Sequence, residues 1–177
     1  MSTQSINLLE DWLNDKDTKV RLQRCADAVV HAFDSDLSVR VPRSASLRDA
    51  HFAVWLTRMR EKLAGVMQAA FSNEFPSVSS KLTANTIQSV FAEYIWPKVE
   101  DHLVAYAIEG IAIPWVRLHV GDSISVDHAE RRGERWLVSL SLSHASKEIG
   151  KIALDLDGNV IETESDSRNE LLAALNG

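Results

Sequence analysis

Two carboxylates one residue apart, Asp155 and Asp157, close an apolar run that begins at Ile152, and Gly158 follows at once. Two carboxylates so placed do chemistry only where the surrounding chain supplies the context for it. A second pairing is Arg24 with His31, seven residues apart. Residues at that spacing share a helix face, so His31 could move a proton while Arg24 holds an anion. The remaining histidines, His51, His102, His119, His128 and His144, are scattered. Convergence of His119, His128 and His144 with Asp122, Asp127 and Glu130 would need all of them at one end of a sheet. There is no His-x-x-x-His pairing and no zinc-type Cys/His spacing, so no metal is expected. Cys25 lies between Leu22 and Val29 on a helical pattern and reads as a buried small hydrophobe. The expectation is therefore no catalytic set and no cofactor.

Two resemblances attach to these residues. The run from Ile152 to Ile161 resembles the first motif of haloacid-dehalogenase-type phosphohydrolases, where an apolar strand ends in Asp-x-Asp-Gly-Thr. The resemblance implies Asp155 as nucleophile and the Asp155–Asp157 pair as a magnesium site. Asn159 stands where that family has Thr, and only a short tail follows in place of its long doubly wound domain. The same residues suit an Asp-Gly hairpin turn between two apolar strands, which is the preferred reading. The stretch from Arg24 to His31 is similar to the Arg–His signature of HEPN-type ribonucleases, which are small helical dimers. That resemblance implies Arg24 and His31 as the catalytic pair. Cys25 replaces the polar residue that follows Arg in the family, and an all-helical fold leaves the last third of this chain over. The plain alternative is a solvated helix face.

The elements that must position these residues follow from periodicity. Ser5 caps a short helix presenting Ile6, Leu9, Trp12 and Leu13, and Asp17 or Thr18 caps the next. In that second helix Leu22, Cys25, Val29 and Phe33 form one apolar face. Leu37, Val39 and Val41 alternate as a short extended segment. Ser46-Leu47-Arg48-Asp49 is a capping-box pattern. It opens a helix with Phe52, Leu56, Met59, Leu63, Val66 and Ala70 inward, ending near Phe71 ahead of Pro76. Ile87, Val90, Phe91, Tyr94 and Ile95 mark another helix. Pro97 disfavours helical geometry at Trp96, so a separate helix is expected from Pro97 to Gly110.

Beyond Gly110 the period falls to two. Ile111 to Val120 reads as an edge or bulged strand because of Pro114. Ile124 and Val126 form a second strand, and Glu130 to Glu134 a charged turn. Trp136, Val138, Leu140 and Leu142 alternate with Ser139, Ser141 and Ser143. Ile152, Leu154 and Leu156 repeat the alternation, and Asp157-Gly158 turns into Val160-Ile161. A final helix, capped near Asp166 or Ser167, carries Leu171, Leu172 and Leu175. The expected fold is α+β. N-terminal helices pack on a C-terminal antiparallel meander of four to five strands, closed by a short C-terminal helix. Residues 1–177 are read as one domain, with 1–110 mainly helical and 111–177 carrying the sheet and terminal helix.

Bulk properties bound the function. The chain has 177 residues and a net charge of −6, which disfavours nucleic acid and anionic membrane surfaces. No run approaches a membrane span, no basic cluster marks a leader, and the single cysteine fits a reducing compartment. A cytoplasmic, bacterial-type protein is expected. The local basic excess is Arg40, Arg43, Arg48, Arg58, Arg60 and Lys62, with Arg131, Arg132 and Arg135. Trp55, Trp96 and Trp136 read as core, whereas Trp12, Leu13 and Trp115 are the candidate interface residues. Ser5 to Leu13 carries more apolar surface than one stripe hides, which points to a homodimer. The expected function is non-catalytic protein–protein binding, as a regulatory or accessory subunit of an assembly. A nucleic-acid-binding or HEPN-like accessory protein is the alternative, and a small hydrolase of unrecognised type the third reading.

Overall fold

The computed structural model describes residues 11–36, 47, 50–143 and 147–176. They divide into two units, Met1–Val39 with Met59–His102, and Arg40–Arg58 with Leu103–Gly177. The capping box at Ser46, most of the first helix and the extended segment from Leu37 lie outside the described residues.

In the first unit, helix α1 (Lys16–Asp34) is capped by Asp15, whose Oδ2 accepts the N–H of Thr18 at 2.9 Å. The sequence pointed to Asp17 or Thr18. Asp17 instead sits in the first turn, where its charge meets the helix dipole, and Thr18 is buried. Leu22, Cys25, Val29 and Phe33 are all buried, as their spacing predicts. Helix α2 (Ala50–Glu74) runs three residues past the expected stop at Phe71. Its buried positions are Phe52, Trp55, Leu63, Met67 and Phe71, while Leu56, Met59, Val66 and Ala70 are half-buried. The face has rotated toward the bulkier side chains, which remove more apolar area from water. Pro76 then opens the short α3 (Pro76–Ser79), and Thr83 caps α4 (Ala84–Val90).

Trp96 is right-handed helical (φ −58°, ψ −41°) despite preceding Pro97. A π turn over Phe91–Ile95 makes this possible: the Trp96 N–H reaches back five residues to Phe91 O. The ladder is reset before the proline, and α5 (Trp96–His119) continues from it.

The second unit holds residues 50–58 of α2, with Phe52 and Trp55, residues 103–119 of α5, the sheet and the last helix. The expected strand from Ile111 to Val120 is helix as far as His119, which is the main correction to the sequence reading. Ala107, Ile108, Ala112 and Val116 recur at helical steps and are fully buried. Pro114 and Gly110 both face outward, so the Gly110 carbonyl that Pro114 cannot serve is open to water. Gly121, at φ +137°, ends the helix instead.

Three strands follow, β1 (Ile124–Arg132), β2 (Arg135–Leu142) and β3 (Glu148–Asp155), in the antiparallel order β1-β2-β3. The protein is thus α+β, with three strands instead of four to five. Trp136, Val138 and Leu140 are buried with Ile152 and Leu154, under Ile108, Ala112 and Val116 of α5 and Leu171 of the last helix. Ser139 and Ser141 are also buried, which simple alternation does not anticipate. Ser141 is satisfied there because its hydroxyl donates to Asp127 Oδ1 at 2.6 Å, and Asp127 sits at a bulge in β1. Leu156 is exposed, since β3 ends at Asp155 and the alternation stops. Val160 returns as a single bridge to Leu154, not as a strand. Helix α6 (Arg168–Asn176) begins with a reciprocal capping box, in which Ser167 Oγ accepts the Glu170 N–H and Glu170 Oε2 accepts the Ser167 N–H.

Candidate functional site

The end of α5 is shaped by the burial of Ala112 and Val116 against the sheet. That leaves Pro114 and Leu118 exposed, with Ile111 and Trp115 half-buried beside them. Leu118 is 79% exposed, well above the other large apolar residues that reach solvent. The Trp115 indole is held in place by His119, which stacks on it at 4.4 Å between ring centroids and 20° between planes. His119 Nδ1 lies 2.9 Å from Trp115 O, and Arg168 Nε donates to His119 O at 2.7 Å. A cation at that carbonyl also complements the helix dipole.

Next to this turn is a cleft of about 260 Å³, lined by Ile113, Val116, Arg117, Asp122, Ile124, Ser125, Val126 and Ser143. Its floor is apolar. On its polar side Ser125 Oγ donates to Ser143 Oγ at 2.9 Å. Arg117 and Asp122 stand 3.9 Å apart with most of both side chains in solvent, so the pair contributes little. An activated serine needs a base in hydrogen-bond reach. Among the described residues, the partner of each of these hydroxyls is the other. Among the described residues neither serine has a base in hydrogen-bond reach.

The residues singled out from sequence fall as follows. Trp12 is half-buried and meets the Phe75 ring edge-on at 5.2 Å, and Leu13 is buried. Both contacts lie within the first unit. Arg40, Arg43 and Arg48 are outside the described residues. Arg58, Arg60 and Lys62 are exposed on α2, where Arg60 lies over the Trp96 ring at 5.4 Å and Lys62 pairs with Asp36. At the β1–β2 turn, Arg132 bonds Glu130 at 2.9 Å and Arg135 pairs with Glu164. Of these cations, Lys62, Arg132 and Arg135 answer local carboxylates.

Arg24 and His31 are both exposed on α1, and Arg24 lies 4.0 Å from Glu74. Cys25 is fully buried, and its thiol is pushed up to about 11 by burial and then by the Glu74 charge. A thiol in that state is not a nucleophile. Asp155 anchors a turn: its Oδ1 accepts the N–H groups of Asp157 and Asn159, and its Oδ2 the Asn159 side-chain amide. Gly158, at φ +89°, donates to Asp155 O at 3.0 Å. Asp155 and Asp157 thus sit in the hairpin-type turn that their sequence suits. His102 Nε2 lies 2.8 Å from Asp34, His128 is exposed, and His144 is outside the described residues. Among the described residues no three His, Cys, Asp or Glu side chains gather as metal ligands. Nor is any helix there long and apolar enough to cross a membrane.

Sequence reasoning passed over Leu118 and Glu109. Leu118 follows Trp115 by three residues and Ile111 by seven, a signal that only a continued helix reveals. Glu109 reaches from α5 to the backbone of β1, where Ala129 N–H donates to its Oε1 at 3.0 Å. Comparison with protein-family models, curated proteins and solved structures finds no match for the chain.

Proposed function

We propose that the protein acts in the cytoplasm by binding another protein, as a non-catalytic accessory or regulatory subunit of an assembly. The observation that carries this reading is the exposure of Leu118 beside a pre-positioned Trp115. A lone exposed leucine is ordinary on a protein surface. Here it adjoins Pro114 and an indole fixed by the His119 stack, and such rigid aromatic anchors dominate interface energetics. A second copy of the chain is the simplest partner, since two-fold pairs are the commonest soluble oligomers.

The test compares the full chain with Leu118→Asp and Trp115→Ala in pull-downs from the native host and in sedimentation. The expected result is a partner, or a self-associated species, that Leu118→Asp loses while its circular dichroism is unchanged. Retention of the same species by a folded Leu118→Asp variant removes the helix end from consideration. A monomer with no captured partner removes the reading itself.

A further inference from the structure

The two borders of the sheet are finished differently. On the outer side of β3, Asp155 N–H donates to Asn159 O at 2.9 Å, and Ala153 O accepts the Ile161 N–H at 2.8 Å. Ala153 N–H donates to Ser165 Oγ at 2.9 Å. Lys151 N–H donates to Asp166 Oδ2 at 2.6 Å, and Asp166 N–H returns to Lys151 O at 2.9 Å. That border is occupied from Lys151 to Asp155. On the outer side of β1, the cover seen among the described residues is the single Glu109 carboxylate at Ala129. Around it Asp127, His128 and Glu130 to Arg132 are exposed. The unpaired N–H and C=O groups of an edge strand are a template for another strand.

We infer that Glu109 is a removable guard on this edge, and that β1, once released, pairs antiparallel with β1 of a second copy about a two-fold axis at Ala129. Ala129 N–H points away from β2, so two copies meeting at this residue exchange both backbone bonds across the axis. Its small side chain lets the strands approach. The two-fold operation sets His128 opposite Glu130 of the second copy, and Glu130 opposite His128 of the second copy. Both lie on one face of β1, because they pair with Ser139 and Leu137, two residues apart on β2. An imidazole thus faces a carboxylate on either side of the axis, a complementarity of β1 with itself. Glu130 Oε2 is held by Arg132 in the same chain, which fixes the carboxylate in place. Asp127 and Arg131, also equidistant from Ala129, add nothing here, since the bulge turns Asp127 toward Ser141. This pairing uses a surface other than the Leu118 patch, so either can fail alone.

The experiment is sedimentation velocity on the full chain as wild type, as Glu109→Ala, and as Glu109→Ala combined with Ala129→Pro. Glu109→Ala is expected to tighten self-association about tenfold or more, the scale of one charge-assisted hydrogen bond. Adding Ala129→Pro removes the bridging N–H, which an edge strand tolerates, and should return the protein to wild-type behaviour. His128→Glu in the Glu109→Ala background, which sets carboxylates against Glu130 of the second copy, should weaken association as well. Circular dichroism checks the fold of each variant. Should the alanine variant not fold, Glu109→Gln takes its place, with tightening expected in the same direction. A folded Glu109 variant that sediments like wild type overturns the inference, as does a gain in association over wild type that survives Ala129→Pro.

Discussion

A single carboxylate, that of Asp155, holds Asn159 twice: Oδ1 accepts its backbone N–H and Oδ2 its side-chain amide, each at 2.9 Å. Burial pushes the Asp155 carboxyl upward, but the Asn159 amide and the surrounding N–H groups outweigh it and hold the group below the ordinary carboxylate value. Both oxygens of Asp155 are thus engaged in the turn.

Asp155→Ala should therefore cost about 1–2 kcal/mol of stability at neutral pH, the loss of hydrogen bonds to an ionised acceptor. The sign of the pH dependence follows from the lowered folded-state value. The contribution is present above the ordinary carboxylate range and disappears as pH falls through the folded value. Urea melts of wild type and variant at pH 7 and again near pH 2 read the difference. An undiminished gap in acid would contradict the assignment.

Asp157→Asn tests the competing chemistry. Asn-Gly is as good a turn dipeptide as Asp-Gly, so the variant should melt within about 0.5 kcal/mol of wild type. The expectation is equal phosphatase readings with and without magnesium for both proteins. A magnesium-dependent activity that this substitution abolishes would restore the phosphohydrolase reading.

Two glycines should respond in opposite directions. A Cβ at Gly150, which sits at φ +153°, would come within 2.5 Å of Asp166 Oδ2 and 2.6 Å of a Leu171 methyl. Gly150→Ala should therefore destabilise by about 1–3 kcal/mol through strain and overpacking. Gly65, inside α2, has nothing within 4 Å of an added Cβ, so Gly65→Ala should stabilise by about 0.5–1 kcal/mol. Thermal melts of the two variants against wild type suffice.

Cys25 should resist alkylation in the native state, since its thiol is fully buried and raised to about 11. Iodoacetamide at pH 8 should modify it only as fast as the protein opens, and rapidly in denaturant. Prompt stoichiometric labelling of the folded chain would show the α1 face to be open.

Patterns repeated over several turns were legible in the sequence. Leu22, Cys25, Val29 and Phe33 gave the buried side of α1, and Trp136, Val138 and Leu140 the core side of β2. Punctuating residues misled. Gly110 and Pro114 look like a break, yet both lie on the solvent side of α5, where a missing donor and a bare backbone are tolerated. Read as strand, the segment does not show the spacing from Ile111 through Trp115 to Leu118 as one surface. Local hydrogen bonds were equally hidden, because Asp15 and Asp17 are both suitable caps and geometry decides between them. The Glu109–Ala129 contact spans 20 residues and two kinds of element, and no periodicity encodes it.

The occupied border of β3 also bears on how the protein fails. Cross-β fibrils grow because each added strand offers a fresh, bare edge to the next molecule. Here the chain running from Asn159 to Asp166 lies along Lys151 to Asp155 and takes up that role within the same molecule. A native sheet so terminated can extend from β1 alone, and a strand that has joined β1 presents another terminated sheet behind it. Sheet extension by the β1 pairing inferred above therefore halts at two molecules, and strand addition along Lys151 to Asp155 requires first that the segment beyond Gly158 peel away.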